Sequence, residues 1–210
     1  MSNSMKTLTQ TMQQKITPEQ AIELLRKGNQ RFIDNLSFDR NLLQQVNETA
    51  SGQYPFATIL SCIDSRTTAE LIFDQGLGDI FSIRIAGNIV NEDILGSMEF
   101  ACKIAGSKLI VVLGHTSCGA IQGACEHVEM SHLTTLLNKI QPAVESTAQN
   151  YTYEKDKTEF LTHVTEKNVR NSIDTILQKS DTLKTLVETN EIKIVGGIYD
   201  IATGKVTFLN

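Results

Sequence analysis

The sequence has no cluster of lysine or arginine: 19 basic and 24 acidic residues are scattered over 210 positions and leave a formal charge of −5. Neutralising phosphates or docking on anionic lipid takes several cations on one surface, so nucleic acid and membrane are not expected partners. The first fifteen residues are polar, rich in Thr and Gln, and hold no apolar run of the length that a signal-peptide core or a membrane span requires. Cytoplasmic residence is the resulting expectation. No internal repeat, low-complexity tract or linker interrupts the chain. The glycines of DQGLGD and AGN permit tight turns but lack the spacing of a phosphate loop or a dinucleotide fingerprint, so nucleotide binding has no support. Cysteine is sparse as well, at 62, 102, 118 and 125. A cytoplasmic protein of this size rarely needs disulfides, and reduced thiols are left for metal binding, nucleophilic chemistry or packing.

What is present suffices for one substantial core, at 40% hydrophobic content. A single domain is expected over residues 1–210, with 1–16 as a flexible lead and 17–50 as an N-terminal helical arm. Within the arm, TPEQAIELLRKGNQRFIDN opens with Thr17 as cap, Pro18 at the first helical position and Gln20 three residues after Thr17, a capping-box start. Ala21, Leu24, Leu25, Phe32 and Ile33 then recur at helical period, so this helix needs a surface to cover it.

From residue 54 the pattern changes to short apolar runs separated by helical stretches. YPFATILSC, DIFSIRIA, KLIVVLGH and IKIVGGIYD read as strands. Leu109 to Leu113 is apolar at every position, as expected for a strand buried on both faces of a parallel sheet. Segments 66–75 and 91–105 have the length of crossover helices, and 119–148 and 156–189 are helical in pattern. The fold class expected is therefore α/β, a mostly parallel central sheet flanked by helices. A Thr203-Gly204 turn between two β-prone arms predicts a C-terminal edge hairpin.

Ligands in open α/β sheets collect beyond the carboxyl ends of the strands, so polar residues directly after a buried strand are the candidates. Cys62-Ile63-Asp64-Ser65-Arg66 follows one strand, and His115-Thr116-Ser117-Cys118-Gly119 follows another. Two thiolates and an imidazole suit zinc, and three protein ligands leave a fourth tetrahedral position open. Taken singly, Cys62 and Cys118 also fit the description of small buried hydrophobes. Asp64 and Arg66 argue against that, because two charged residues at the exit of a buried strand call for a mutual ion pair or an ionic ligand. His127, His132 and His163 lie away from the strand exits and read as surface residues. Cys102 and Cys125 fall in helical segments and read as packing.

CIDSR, then RIAGNIV, then GHTSCG is a combination that resembles the β-class carbonic anhydrases. The surrounding IFSIRIAGNIVNEDILGSMEFA and GGIYDIATGKVTFL resemble that family's second strand with its helix and its closing strands. The resemblance implies zinc on Cys62, His115 and Cys118 and reversible hydration of carbon dioxide to bicarbonate through zinc-bound hydroxide. Asp64 and Arg66 would form a hydrogen-bonded dyad serving that site. It further implies a substrate pocket with Gln53, Phe81 and the N–H of Gly119, and a homodimer or homotetramer with the pocket at the interface. Some members use the matching aspartate as a fourth zinc ligand in a closed state. Asp64 is a candidate for that role, although the absence of any Trp and the presence of Gln53 favour an open site. Where related pockets often carry a tyrosine this chain has Phe100, which removes a hydroxyl. The competing expectations are a zinc hydrolase of carbon disulfide or a similar heterocumulene, a cysteine-nucleophile enzyme, and a non-enzymatic zinc-binding protein.

Overall fold

Leu109 to Leu113 is apolar throughout because both of its faces are covered. In the computed structural model, which describes residues 7–209, this run lies in β3 (Leu109–His115) at the centre of the sheet. Leu109, Val111 and Leu113 pack toward Leu25 and Phe73, while Ile110 and Val112 face Met98 and Ile176. The alternation places successive side chains in opposite cores, as the two-residue period of a strand requires.

The other strands are β1 (Ala57–Ser61), β2 (Ile80–Arg84), β4 (Lys193–Tyr199) and β5 (Val206–Phe208). Their order is β2-β1-β3-β4-β5; every pair is parallel except β4 with β5. The expected hairpin turn is present, with Gly204 at φ 77°. Helices α4 (Ala69–Ile72) and α5 (Glu92–Glu99) sit in the crossovers, and α5 runs on into a π turn over Phe100–Ile104. The segment after β3 holds α6 (Gly119–Cys125), α7 (Ser131–Leu137) and α8 (Gln141–Ala148). It is followed by α9 (Lys157–Lys179) and α10 (Asp181–Glu188). No helix among the described residues is long and apolar enough to cross a membrane.

The N-terminal arm contains α1 (Gln10–Lys15), α2 (Pro18–Ile33) and α3 (Leu42–Thr49). The Thr17 capping box forms as expected. Of the predicted stripe, Ala21 and Leu25 are fully buried, whereas Leu24 and Ile33 turn outward. α2 presses closest where Gly28 meets Phe73: a Cβ there would lie 1.8 Å from the Phe73 carbonyl oxygen, so only glycine fits. Next to it, buried Asn29 donates to the carbonyls of Ile72 and Gly204 and accepts from the Val206 N–H, tying arm, sheet and hairpin together. Arg31 and Arg40 close on the Asp74 carboxylate, which is only 2% exposed. Burying a carboxylate is costly unless it is paired and hydrogen-bonded, and here it is both.

The expected flexible lead differs from the structure in its second half. Residues 1–6 lie outside the described residues, but 10–15 are helical. Buried Gln13 explains the difference, since its Nε2 donates to the carbonyls of Pro55 and Ala105, each at 2.8 Å. An amide carrying two such bonds pins its helix to the sheet.

Candidate metal centre

Register brings the two motifs together. Ser61 at the end of β1 is opposite Arg84 on one side and Leu113 on the other, so Cys62 leaves the sheet between β2 and the end of β3, where His115 sits. Ser117, at φ 55°, then turns the chain so that Cys118 caps α6 and faces back toward Cys62. The two sulfurs are 4.0 Å apart, and ligand atoms of Cys62, His115 and Cys118 all lie within 4.8 Å of one another. All three residues are at most 5% exposed.

The donor set fits zinc on several counts. Zn–S bonds of about 2.3 Å at tetrahedral angles put two sulfurs roughly 3.8 Å apart, close to the spacing found. His115 has Nδ1 2.9 Å from the Thr116 carbonyl, so that nitrogen carries the proton and donates. Nε2 is left buried with no partner, a lone pair aimed at a ligand position. The thiols are inequivalent: Cys62 is lowered by the hydrogen bond from Cys118, helped by His115 and by the backbone N–H groups of Asp64 and Gly87. Cys118 is raised, because its S–H is the proton shared with the Cys62 sulfur and burial disfavours its thiolate, with the Cys62 charge adding to both. Both become thiolates together only with a cation between them.

Asp64 and Arg66 form the expected dyad. Arg66 Nε donates to Oδ1 at 2.9 Å and a terminal guanidinium nitrogen donates to Oδ2 at 2.7 Å, while the Arg66 backbone N–H also reaches Oδ1. This bidentate fork holds the Asp64 carboxyl well below the usual carboxylate range, with His115 contributing. Asp64 is thus paired with Arg66 and not turned toward the sulfurs.

Two further residues shape this loop. Thr67 Oγ1 donates to the carbonyls of Cys62 and Asp64, both at 2.9 Å. Arg84 donates to the same two carbonyls, at 3.1 and 2.6 Å. Neither stands out in the sequence by residue type. The signal for Arg84 is its place as the last residue of β2, a cation at a strand's carboxyl end.

The expected substrate pocket is not assembled within one chain. Gly119 adjoins the cluster as the first residue of α6, and a Cβ there would meet nothing within 4 Å. Gln53 instead lies beyond the amino end of β1, lining a cavity of about 400 Å³ with Gln13, Tyr54 and Cys102. Phe81 is the second residue of β2, far from the strand's carboxyl end, and packs edge-on against Phe100 at 6.4 Å. Position along the strands is the physical reason: both residues precede the sheet end that holds the sulfurs. Cys102 is buried on the π turn that continues α5, and Cys125 is half-buried at the end of α6. His127 and His132 are exposed, and His163 stacks on Tyr151.

Known proteins are similar to this chain in sequence and fold. A family model described as carbonic anhydrase matches residues 57–206. Carbonic anhydrase 2 of Mycobacterium tuberculosis is 32% identical over 192 residues, covering 90% of this chain and 91% of the relative. The β-carbonic anhydrase CafA of Aspergillus fumigatus superposes with a TM-score of 0.71 at 26% identity, over 80% of this chain and 81% of that one. A tetrameric β-carbonic anhydrase of Sordaria macrospora gives a TM-score of 0.72 at 24% identity, over 80% and 90% of the two chains. Together with a mostly parallel sheet that delivers two cysteines and a histidine to one buried point, these likenesses mean that the chain belongs to the β-class carbonic anhydrase family, zinc enzymes of reversible carbon dioxide hydration.

Proposed function

We propose that Cys62, His115 and Cys118 are the protein ligands of this enzyme's zinc, and that Asp64, clamped by Arg66, accepts the hydrogen bond that guides away the proton released as carbon dioxide becomes bicarbonate. The observation that carries this reading is the unpartnered Nε2 of His115 beside two sulfurs and next to a carboxylate held by one guanidinium. Zinc held by these three residues would supply Lewis acidity to a water molecule. Asp64 is too acidic to store a proton. Its part is to accept a hydrogen bond at a carboxylate oxygen, orient the donor, and hand the proton on toward solvent, to which its side chain is 16% exposed. Arg66 keeps that carboxylate ionised and aimed. The Gly119 N–H stands at the start of α6, where backbone donors have no partner within the helix and suit an oxygen of the bound species.

A second copy of the chain is proposed to complete the pocket. β2 is an edge strand; Phe100, which packs on Phe81 of that strand, is 53% exposed, and Ile104, one turn further along the chain, is 73% exposed. An apolar edge of this kind calls for cover. Pairing two copies along it would bring Gln53 and Phe81 of one toward the cluster of the other, with the amide addressing substrate oxygens and the ring excluding water. A homodimer, or dimers paired into a tetramer, is the assembly proposed. A site built on two thiolates works in a reducing compartment, which supports the cytoplasm as its location.

Purified protein is expected to hold about one zinc per chain and to hydrate carbon dioxide in stopped flow, with activity lost to a chelator and restored by zinc. Full hydration by metal-free protein would sink the reading. For the assembly, Phe100→Glu places a charge in the apolar edge. Light scattering should report monomers, with zinc retained and kcat/KM reduced by roughly tenfold or more, as for loss of substrate-positioning groups. A fully active monomer would refute the shared pocket.

A further inference from the structure

Directly after β2 the backbone enters the left-handed region twice in succession, at Gly87 (φ 66°) and Asn88 (φ 42°). Gly87 is confined there: a Cβ would stand 2.7 Å from Ile140 Cδ1. Asn88 is a residue type that tolerates this region better than most. Two such residues in sequence persist only where their surroundings over-determine them.

The surroundings are one face of α9. Asn168 Nδ2 donates to the Gly87 carbonyl at 2.9 Å, and one turn later Ser172 Oγ donates to the Asn88 carbonyl at 3.3 Å. Both side chains are buried, at 3% and 5% exposure. On its other side Gly87 points its N–H at the Cys62 sulfur, 3.4 Å away. A long helix remote in sequence therefore grips the short turn whose amide touches a metal-site thiolate.

We propose that Asn168 is a positioning residue for the metal centre: by holding the Gly87 carbonyl it aims the Gly87 N–H at Cys62 Sγ. The inference rests on Cys62 being a zinc ligand. A hydrogen bond to a thiolate draws electron density off sulfur, weakens its donation and leaves more positive charge on the metal. In a site where two thiolates cancel the charge of zinc, that withdrawal bears directly on how strongly water is polarised. Ser172 supports the same turn one residue further from the sulfur.

Cobalt substitution of the full-length protein tests this without relying on turnover. Asn168→Leu keeps the approximate volume and removes the donor. Its thiolate-to-cobalt charge-transfer band is expected to move to lower energy as the sulfur donates more strongly, while its zinc affinity falls by roughly tenfold to a hundredfold, the range for losing an outer-shell partner, because the loosened turn no longer holds Cys62 in place for the metal. Asn168→Ala serves if the leucine variant does not fold. Ile176→Val trims the same helix in the core, eight residues beyond Asn168, so its band should stay in place although stability falls. Asn168 variants that fold with the parental band and zinc affinity overturn the proposal. A parental cobalt protein without any thiolate band would instead overturn the assignment of Cys62 as a ligand, a separate failure.

Discussion

Cys118→Ser is expected to abolish carbon dioxide hydration and to strip the protein of zinc. The hydroxyl that replaces the thiol does not ionise at neutral pH, so the metal loses a soft anionic ligand while the remaining Cys62 and His115 supply only part of a tetrahedron. Loss of an outer-shell partner already costs about 10-fold to 100-fold in metal affinity, and loss of a direct ligand should exceed that. The effect is specific to position. Cys125 lies on the same helix, seven residues on, with its thiol pushed up to about 11 by burial. Cys125→Ser should keep its zinc and its turnover. Elemental analysis and stopped-flow hydration on both variants check the contrast; zinc held as firmly by Cys118→Ser as by Cys125→Ser would rule out the thiolate assignment.

The reason Cys62, His115 and Cys118 were legible before any coordinates is that each lies at or just beyond the carboxyl end of a strand with an unmistakable pattern. β3 is apolar on both faces, and β1 is fully buried, so their carboxyl ends could be located to within a residue. A register that sets Ser61 against Leu113 then leaves little freedom in where the next residues go. Asp64 and Arg66 were equally visible, since two residues of opposite charge sit two apart in a tight turn. Asn168 was not. Its contact with Gly87 spans 81 positions, and a polar residue within a long helical pattern carries no mark of facing inward. The Arg31–Asp74–Arg40 cluster was hidden for a similar reason: Asp74 belongs to a turn-rich segment whose local chemistry reads as exposed loop. Gln13 shows the same limit in a polar stretch, where nothing local distinguishes an amide buried against two carbonyls from one in water. Gln53 and Phe81 illustrate another limit. The resemblance names them as pocket residues but carries no strand direction, and within one chain both lie away from the sulfurs.

Asp64→Asn separates the two jobs of the dyad. The amide keeps the size of the side chain and can still accept from Arg66 at one oxygen, but it no longer carries the charge that draws a proton. Loss of a positioned proton acceptor is expected to lower kcat by about 10²-fold to 10⁴-fold with zinc content unchanged. Arg66→Leu acts differently: the carboxylate survives without its clamp, free to turn away from the donor or toward the metal. The pH dependence follows from the direction of the shift on Asp64. Its folded value lies below the ordinary carboxylate value of about 3.9, so the pairing contributes fully above that value and is lost only as pH falls through the lowered one. From neutral to alkaline pH the parental dyad is therefore constant, and no acid limb of activity in that range comes from protonating Asp64. In Arg66→Leu the restraint is gone, and activity should fall on the neutral side while zinc remains, because a carboxylate that reaches the metal competes best where hydroxide is scarce. Stopped-flow profiles of the two variants across that range decide the matter. An Asp64→Asn enzyme that turns over at the parental rate would remove Asp64 from the reaction, and an Arg66→Leu profile identical to the parental one would show that the fork aims nothing.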